Sequence, residues 1–157
     1  MKVNDLLILV RQRLGDMQKT KFSDNELIYC LNNAIDRLSS ELVAKANPEM
    51  VREFTITGTE GTKRPVDFIT LRGQYPIEFR RGVSGVTVFH ADPEFMGTMK
   101  VKYYSLMPHV KLLSDDIPFD QTPYYKMLVT YTLYDIKPSM EGGNNDSSGT
   151  NEQRSSS

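Results

Sequence analysis

The stretch Phe22-Ser23-Asp24-Asn25-Glu26-Leu27, running on into Leu31-Asn32-Asn33-Ala34-Ile35, decides how this chain is read. Ser23 and Glu26 stand at the spacing of a capping box, in which the hydroxyl and the carboxylate each satisfy a free amide at a helix start. Phe22 and Leu27 occupy the two positions of a hydrophobic staple around that cap. Beyond it, Leu27, Leu31, Ala34, Ile35, Leu38 and Leu42 keep one apolar face for about four turns. Pro48 drives Asn47 out of the helical region, so the helix is expected to stop near Ala46. A helix this long with one apolar stripe needs other elements to bury that stripe, and these lie on both sides of it.

On the N-terminal side, Val3, Leu6, Leu7, Val10 and Leu14 form a second stripe, with Ile8 and Leu9 partly off it. The spacing predicts a short helix from about Asn4 to Leu14. Asn4 is expected as its cap, Asp5 suits the positive end of the dipole, and Gly15 supplies a left-handed stop. On the C-terminal side the period changes to two from Val51. Phe54 and Ile56 alternate with polar neighbours, and Gly58-Thr59-Glu60-Gly61 turns the chain. Val66, Phe68-Ile69 and Leu71, then Ile77 and Phe79, then Val86 to Phe89 give further short runs, divided by Gly82 and Gly85 and ended by Ala91-Asp92-Pro93. Met99, Val101 and Tyr103 alternate with Lys100, Lys102 and Tyr104 as a half-buried strand. About four to six short antiparallel strands are expected, forming a small sheet.

A last helix is expected from Thr122 as cap and Pro123 at the first helical position, closed by Lys137-Pro138. Tyr124, Met127, Leu128, Tyr131 and Tyr134 recur along it at helical spacing and are read as its core face, with the Tyr125 or Tyr134 hydroxyl reaching the surface. Residues 138–157 hold six serines, three asparagines, three glycines and Met140 as their one apolar side chain. Such a segment buries too little surface to offset its own ordering entropy. The fold class expected is therefore α+β. A helical base of two N-terminal helices and one C-terminal helix spans 1–137 as a single domain. It carries a small antiparallel β insertion at about 50–113, and an extended polar C-terminal arm follows over 138–157.

Composition narrows the function. The 157 residues carry 19 basic and 20 acidic side chains, a net charge of −1, with a pI near 6.1. That balance disfavours a strongly basic nucleic-acid binder and a polyacidic tail protein alike. The longest apolar run, Leu6 to Val10, is far short of the ~18 residues of a membrane span, and no secretory leader is expected. With Cys30 alone there is no internal disulfide and no cysteine-based zinc site, which fits synthesis in a reducing compartment.

No constellation of catalytic residues emerges, and neither a metal nor a cofactor is expected. His90 and His109 lack helical pairing and read as lone surface or loop histidines. Cys30 lies near the apolar stripe of its helix and reads as an inert thiol. Gly58 to Lys63 lacks the spacing of a phosphate-binding loop and precedes a strand, so it reads as a hairpin turn. Asp115, Asp116 and Asp120 match no calcium loop and suit the approach to a helix N-terminus. Lys63, Arg64, Arg72, Arg80, Arg81, Lys100 and Lys102 lie in a block that is neutral as a whole, so a solvated strand face accounts for most of them. Lys63, Arg64, Arg80 and Arg81 are retained as candidates for contacts with a neighbouring subunit or tail component, Arg80-Arg81 beside Gly82 foremost.

Taken in order, these stretches resemble the head-to-tail adaptor (connector) proteins of tailed bacteriophages. Leu14-Gly15-Asp16, Phe22-Ser23-Asp24-Asn25-Glu26-Leu27 and Leu31-Asn32-Asn33-Ala34 are similar to that family's opening. Pro65-Val66-Asp67-Phe68 is similar to its turn after a first hairpin. Val101-Lys102-Tyr103-Tyr104, Ile117-Pro118 and Tyr125 to Tyr134 are similar to its closing strand and helix. The likeness runs nearly the whole way to Lys137.

The resemblance implies a non-enzymatic structural protein of the virion neck, made in the host cytoplasm. Its subunits would form a ring, a dodecamer in the family, under the portal protein after DNA packaging, and would seat tail or nozzle proteins. DNA would pass through the lumen without sequence-specific binding, and no membrane would be involved. In the family a C-terminal arm reaches the portal; residues 138–157, too polar to fold alone and following a proline stop, are read here as that arm, with Met140, Asn144, Asn145, Asn151 and Arg154 as expected contact residues. Because Pro138 closes the last helix early, that arm is expected to be extended, spanning up to about 65 Å. Two other readings stand beside this one: a head-completion stopper or tail-tube subunit, and a small DNA-binding accessory factor working through Arg80-Arg81, whose binding would be salt-dependent.

Overall fold

In the computed structural model, which describes residues 1–57, 61–82, 85, 87–91 and 97–136, the chain divides into two compact units. Among the described residues, one comprises 1–38 with 108–136, and the other lies between Ser39 and Met107.

In the first unit, α1 spans Val3–Leu14. Val3, Leu6, Leu7 and Val10 are buried as the stripe requires, Leu14 is half-buried, and Leu9 is exposed. Gly15 adopts a left-handed conformation (φ 67°). Its N–H donates to Gln12 O while Asp16 N–H donates to Arg11 O, the paired bonds of a Schellman stop. The start of α1 differs from the expectation. Asn4 lies inside the helix, and Lys2 precedes it without a side-chain cap. Val3 N–H donates instead to Asp115 O (2.9 Å) and Asn4 N–H to Leu113 O (3.0 Å). Backbone carbonyls over 100 residues away in sequence thus take the place of a local cap, and an isolated bridge between Lys2 and Asp116 holds them there.

The second helix, α2, spans Asp24–Ala44 and starts where the capping sequence places it. Ser23 Oγ accepts from Glu26 N–H at 3.1 Å. All six stripe residues from Leu27 to Leu42 are buried. The chain leaves α2 through Ala46, whose φ of 56° is left-handed without a glycine to ease it. Ala46 N–H donates to Val43 O and Asn47 N–H to Leu42 O, again as a Schellman stop.

The third helix, α3, covers 122–136. It opens one residue earlier than the expected Thr122 cap, with Pro123 still in the first turn, where its missing N–H costs nothing. Its buried face corrects the tyrosine reading. Leu128, Val129, Thr132, Leu133 and Ile136 are buried, whereas Tyr131 is half-buried and Tyr134 is 50% exposed. Thr132 can enter the core because its hydroxyl donates to Leu128 O at 2.7 Å. The tyrosines flank that face, and the Arg37 guanidinium lies over the Tyr131 ring, 4.0 Å from its centroid. Asn32 of α2 clamps the backbone of Val110 on both sides, accepting its N–H (2.8 Å) and donating to its carbonyl (2.9 Å).

The described residues of the second unit form six strands in two three-stranded antiparallel sheets rather than one small sheet. The first sheet has the order β1 (Val51–Thr57), β6 (Thr98–Ser105), β3 (Phe68–Leu71). The second has the order β2 (Thr62–Lys63), β5 (Thr87–Ala91), β4 (Ile77–Arg81). The period-two pattern of β6 reads through, with Val101, Tyr103 and Ser105 buried and Lys100 and Lys102 exposed. Opposite it, Phe54 pairs with Val101 and Ile56 with Met99. Phe89 of β5, fully buried, joins the sheets: its ring lies 5.3 Å from both Phe54 and Phe68 and 4.7 Å from Phe79. Gly61 runs so close under β5 that an added Cβ would fall 2.4 Å from Val88 Cγ1, a position only glycine can fill.

Candidate functional site

The most constrained chemistry in the helical unit lies where α1 gives way to α2. Arg11 falls on the apolar stripe of α1 and is 2% exposed, as is Asp16 just past the glycine stop. The Arg11 guanidinium donates to Asp16 Oδ2, to Phe22 O and to Asp24 Oδ1, each at 2.9 Å. Asp16 also accepts the backbone N–H groups of Thr20 (2.9 Å), Lys21 (3.0 Å) and Phe22 (3.1 Å), and the Thr20 hydroxyl at 3.2 Å. Burial pushes the Asp16 carboxyl up, but the three amides and the hydroxyl more than offset it and hold it below the usual carboxylate range. The Arg11 bond, with Lys19 beside it, lowers Asp24 in the same way despite partial burial. Every buried side-chain nitrogen and oxygen among the described residues finds a partner. The knot therefore fixes the interhelical loop and offers no vacant group to a ligand.

Three grooves lie along α3, the smallest (≈ 260 Å³) between Arg37, Tyr131, Tyr134 and Asp135, and the two larger ones on either side of the helix. One, with a volume of ≈ 480 Å³, is lined by Phe22, Glu26, Tyr29, Cys30, Asp135 and Ile136. The other, of ≈ 370 Å³, includes Leu9, Arg13, Tyr125, Lys126 and Val129. Tyr29 is 68% exposed at the rim of the first. Cys30 is half-buried there; desolvation first, and then the neighbouring Asp135 carboxylate, push its thiol up to about 12. A thiol so placed stays protonated at neutral pH and is a poor nucleophile.

The other candidates are placed individually. Asp115 Oδ2 accepts from Lys111 N–H (2.8 Å) and Leu112 N–H (2.9 Å), which lower its carboxyl and close a turn. Asp116 pairs with Lys2 at 2.9 Å. His109 Nε2 meets both oxygens of Asp36 at 2.9 Å, and His90 lies on β5 over Gly61. Among the described residues no group of three or more His, Cys, Asp and Glu is arranged to hold a metal ion. No described helix is long and apolar enough to cross a membrane.

The four retained basic residues do not converge. Lys63 and Arg80 flank Val88 in one cross-strand row of the second sheet, and Arg80 pairs with Glu78. Arg81 lies in the next row, on the opposite face. Arg64 reaches over the Phe68 ring, 5.9 Å from its centroid. Met140, Asn144, Asn145, Asn151 and Arg154, together with the arm that holds them, lie outside the described residues.

Sequence reading missed Arg11 and Asp16 as partners, although an arginine on an otherwise apolar stripe is the signal that finds them. It also missed the Glu26–Asp135 groove, whose walls come from opposite ends of the chain. Compared with known proteins, the chain matches no family model and no curated protein.

Proposed function

We propose that this protein is a structural subunit of a tailed-phage neck, one of a ring of copies that joins the portal to the tail, and that it performs no catalysis. The observation that carries the reading is where the resemblance-bearing residues sit. Gly15 and Asp16 stop α1 and gather the loop, while Ser23 caps α2 and Asp24 closes on Arg11. Asn32 clamps Val110, and Asp67 accepts from the Tyr103 hydroxyl at 3.0 Å. These polar residues each serve the scaffold, which is the pattern of a protein whose work is done by its surfaces.

The reading extends to the uncharted partners: portal above, tail or nozzle proteins below, neighbouring copies at the sides, and residues 138–157 as the portal-reaching arm. Co-sedimentation of the full chain with portal rings, followed by negative-stain imaging, tests it. Rings of density beneath the portal are expected. A chain that stays in the supernatant at every portal concentration removes the reading, and salt-dependent retention on duplex DNA in its place would favour the accessory-factor alternative.

A further inference from the structure

The two larger grooves along α3 differ in sign. The first presents Glu26 and Asp135 around Phe22 and Tyr29; the second presents Arg13 and Lys126 around Leu9 and Val129. Glu26, Arg13 and Lys126 are exposed, and none of the three forms an ion pair with another described residue. Each groove pairs its charges with uncovered apolar surface: Tyr29 is 68% exposed and Leu9 41%. The grooves also face different ways. Lys126 and Asp135 are nine residues apart on α3, and at about 100° per residue they project from opposite sides of that helix.

We propose that the acidic groove of one copy receives the basic groove of the next, Lys126 and Arg13 meeting Glu26 and Asp135 while the exposed Leu9 covers Tyr29. The occupant is a second copy of this chain because its own opposite side carries the matching charge. A two-fold contact centred on either groove would set like charges against each other, whereas a head-to-tail contact sets each groove against its complement. Repeated head-to-tail contacts close into a ring when the rotation per subunit allows it. The inference rests on the ring reading above and supplies the surface that reading lacks. Grooves of this size give a weak contact between free copies, one that salt screens and that closure of a ring strengthens through effective concentration.

The test joins carboxylates directly to amines with a zero-length carbodiimide, using the full chain in two charge-reversed forms, Lys126→Glu and Glu26→Lys. Both positions are exposed, and matching urea midpoints check that both forms fold. Neither form alone holds a carboxylate–amine pair across positions 26 and 126, so neither gives that cross-link. An equimolar mixture is expected to give a 26–126 cross-link by mass spectrometry, falling about tenfold in 1 M salt, where the screening length drops to about 3 Å. A mixture without it overturns the inference. Cross-links between copies that map elsewhere overturn this pairing and leave the ring reading standing; failure to cross-link anywhere, joined with failure to bind portal rings, removes both.

Discussion

Replacing Arg11 with methionine, which keeps the length of the side chain and removes its charge, tests whether the knot between α1 and α2 is a structural necessity. Three bonds of 2.9 Å disappear, to Asp16, to Phe22 O and to Asp24. Removing one partner of a buried ion pair costs about 3–5 kcal/mol, because the remaining charge stays desolvated and unpaired. The lower end applies here. Asp16 keeps four other donors, and the Asp24 side chain is 33% exposed and still reaches Lys19. The expected loss is therefore about 3 kcal/mol, or roughly 6–12 °C in Tm for a chain of this size.

Urea unfolding followed by far-UV circular dichroism measures it as a drop in midpoint. A cycle with Asp24→Asn should show coupling of about 1–2 kcal/mol between the two positions, since they share a charge-assisted bond. Arg11→Lys should recover only part of the loss, because one ammonium cannot span three acceptors placed for a planar fork. A loss under about 0.5 kcal/mol for Arg11→Met, the scale of an exposed pair, would refute the reasoning.

Four further outcomes follow from the same structure. Ser23→Ala should lower the urea midpoint by about 1 kcal/mol through loss of the cap to Glu26 N–H, and an unchanged midpoint would place the helix start elsewhere. Ala46→Gly should raise stability by about 0.5–1 kcal/mol, since relief of a left-handed alanine outweighs the added freedom of the unfolded glycine; a lower midpoint would contradict it. Asp16 and Asp24 have folded-state values below the unfolded one. Their contribution is thus complete above about pH 4 and lost as the pH falls through the depressed values. Tyr103, raised by burial and by its bond to Asp67, has the opposite sign, so its contribution is complete below about pH 10 and lost as the pH rises through the raised value; a flat pH–stability profile at both ends would sink this pair of assignments. Cys30, pushed up to about 12, should react with iodoacetamide at pH 8 some two to three orders of magnitude more slowly than an open thiol, and a rate like that of free cysteine would show the thiol is not held beside Asp135.

What could be read from the sequence was what depends on near neighbours. The stripes of α1 and α2, the Gly15 stop, the Ser23 cap and the alternation of β6 are all set within a few residues, and each appears where its pattern places it. What could not be read depends on distant partners. Asn4 looks like a cap until Leu113 and Asp115 bring carbonyls to the same amides. On α3 the tyrosines and the set Leu128, Val129, Thr132, Leu133, Ile136 both recur at helical spacing, and only the surroundings decide which is buried. Two sheets replace one because β6 takes β1 and β3 as neighbours while β5 takes β2 and β4, pairings that a strand's own pattern does not encode. Arg80 and Arg81 show the same dependence on surroundings. Read as a doublet they suggest one patch, yet successive strand residues face opposite ways.

The distribution of polar residues separates scaffold from surface. In the helical unit the buried or clamped polar groups, Arg11, Asp16, Asn32 and Thr132, are all spent on backbone or on one another. A catalytic site would instead hold a buried, titratable group with an unmet partner in a cleft. The grooves here set the exposed charges of Glu26, Arg13 and Lys126 beside the exposed Tyr29 and Leu9, and Cys30, the nucleophile at hand, is kept protonated. That combination suits the docking surface proposed above. In the head-to-tail contact proposed above, uncovered apolar area supplies the attraction, and opposite charge on the two sides of α3 favours that orientation over those that set like charges together.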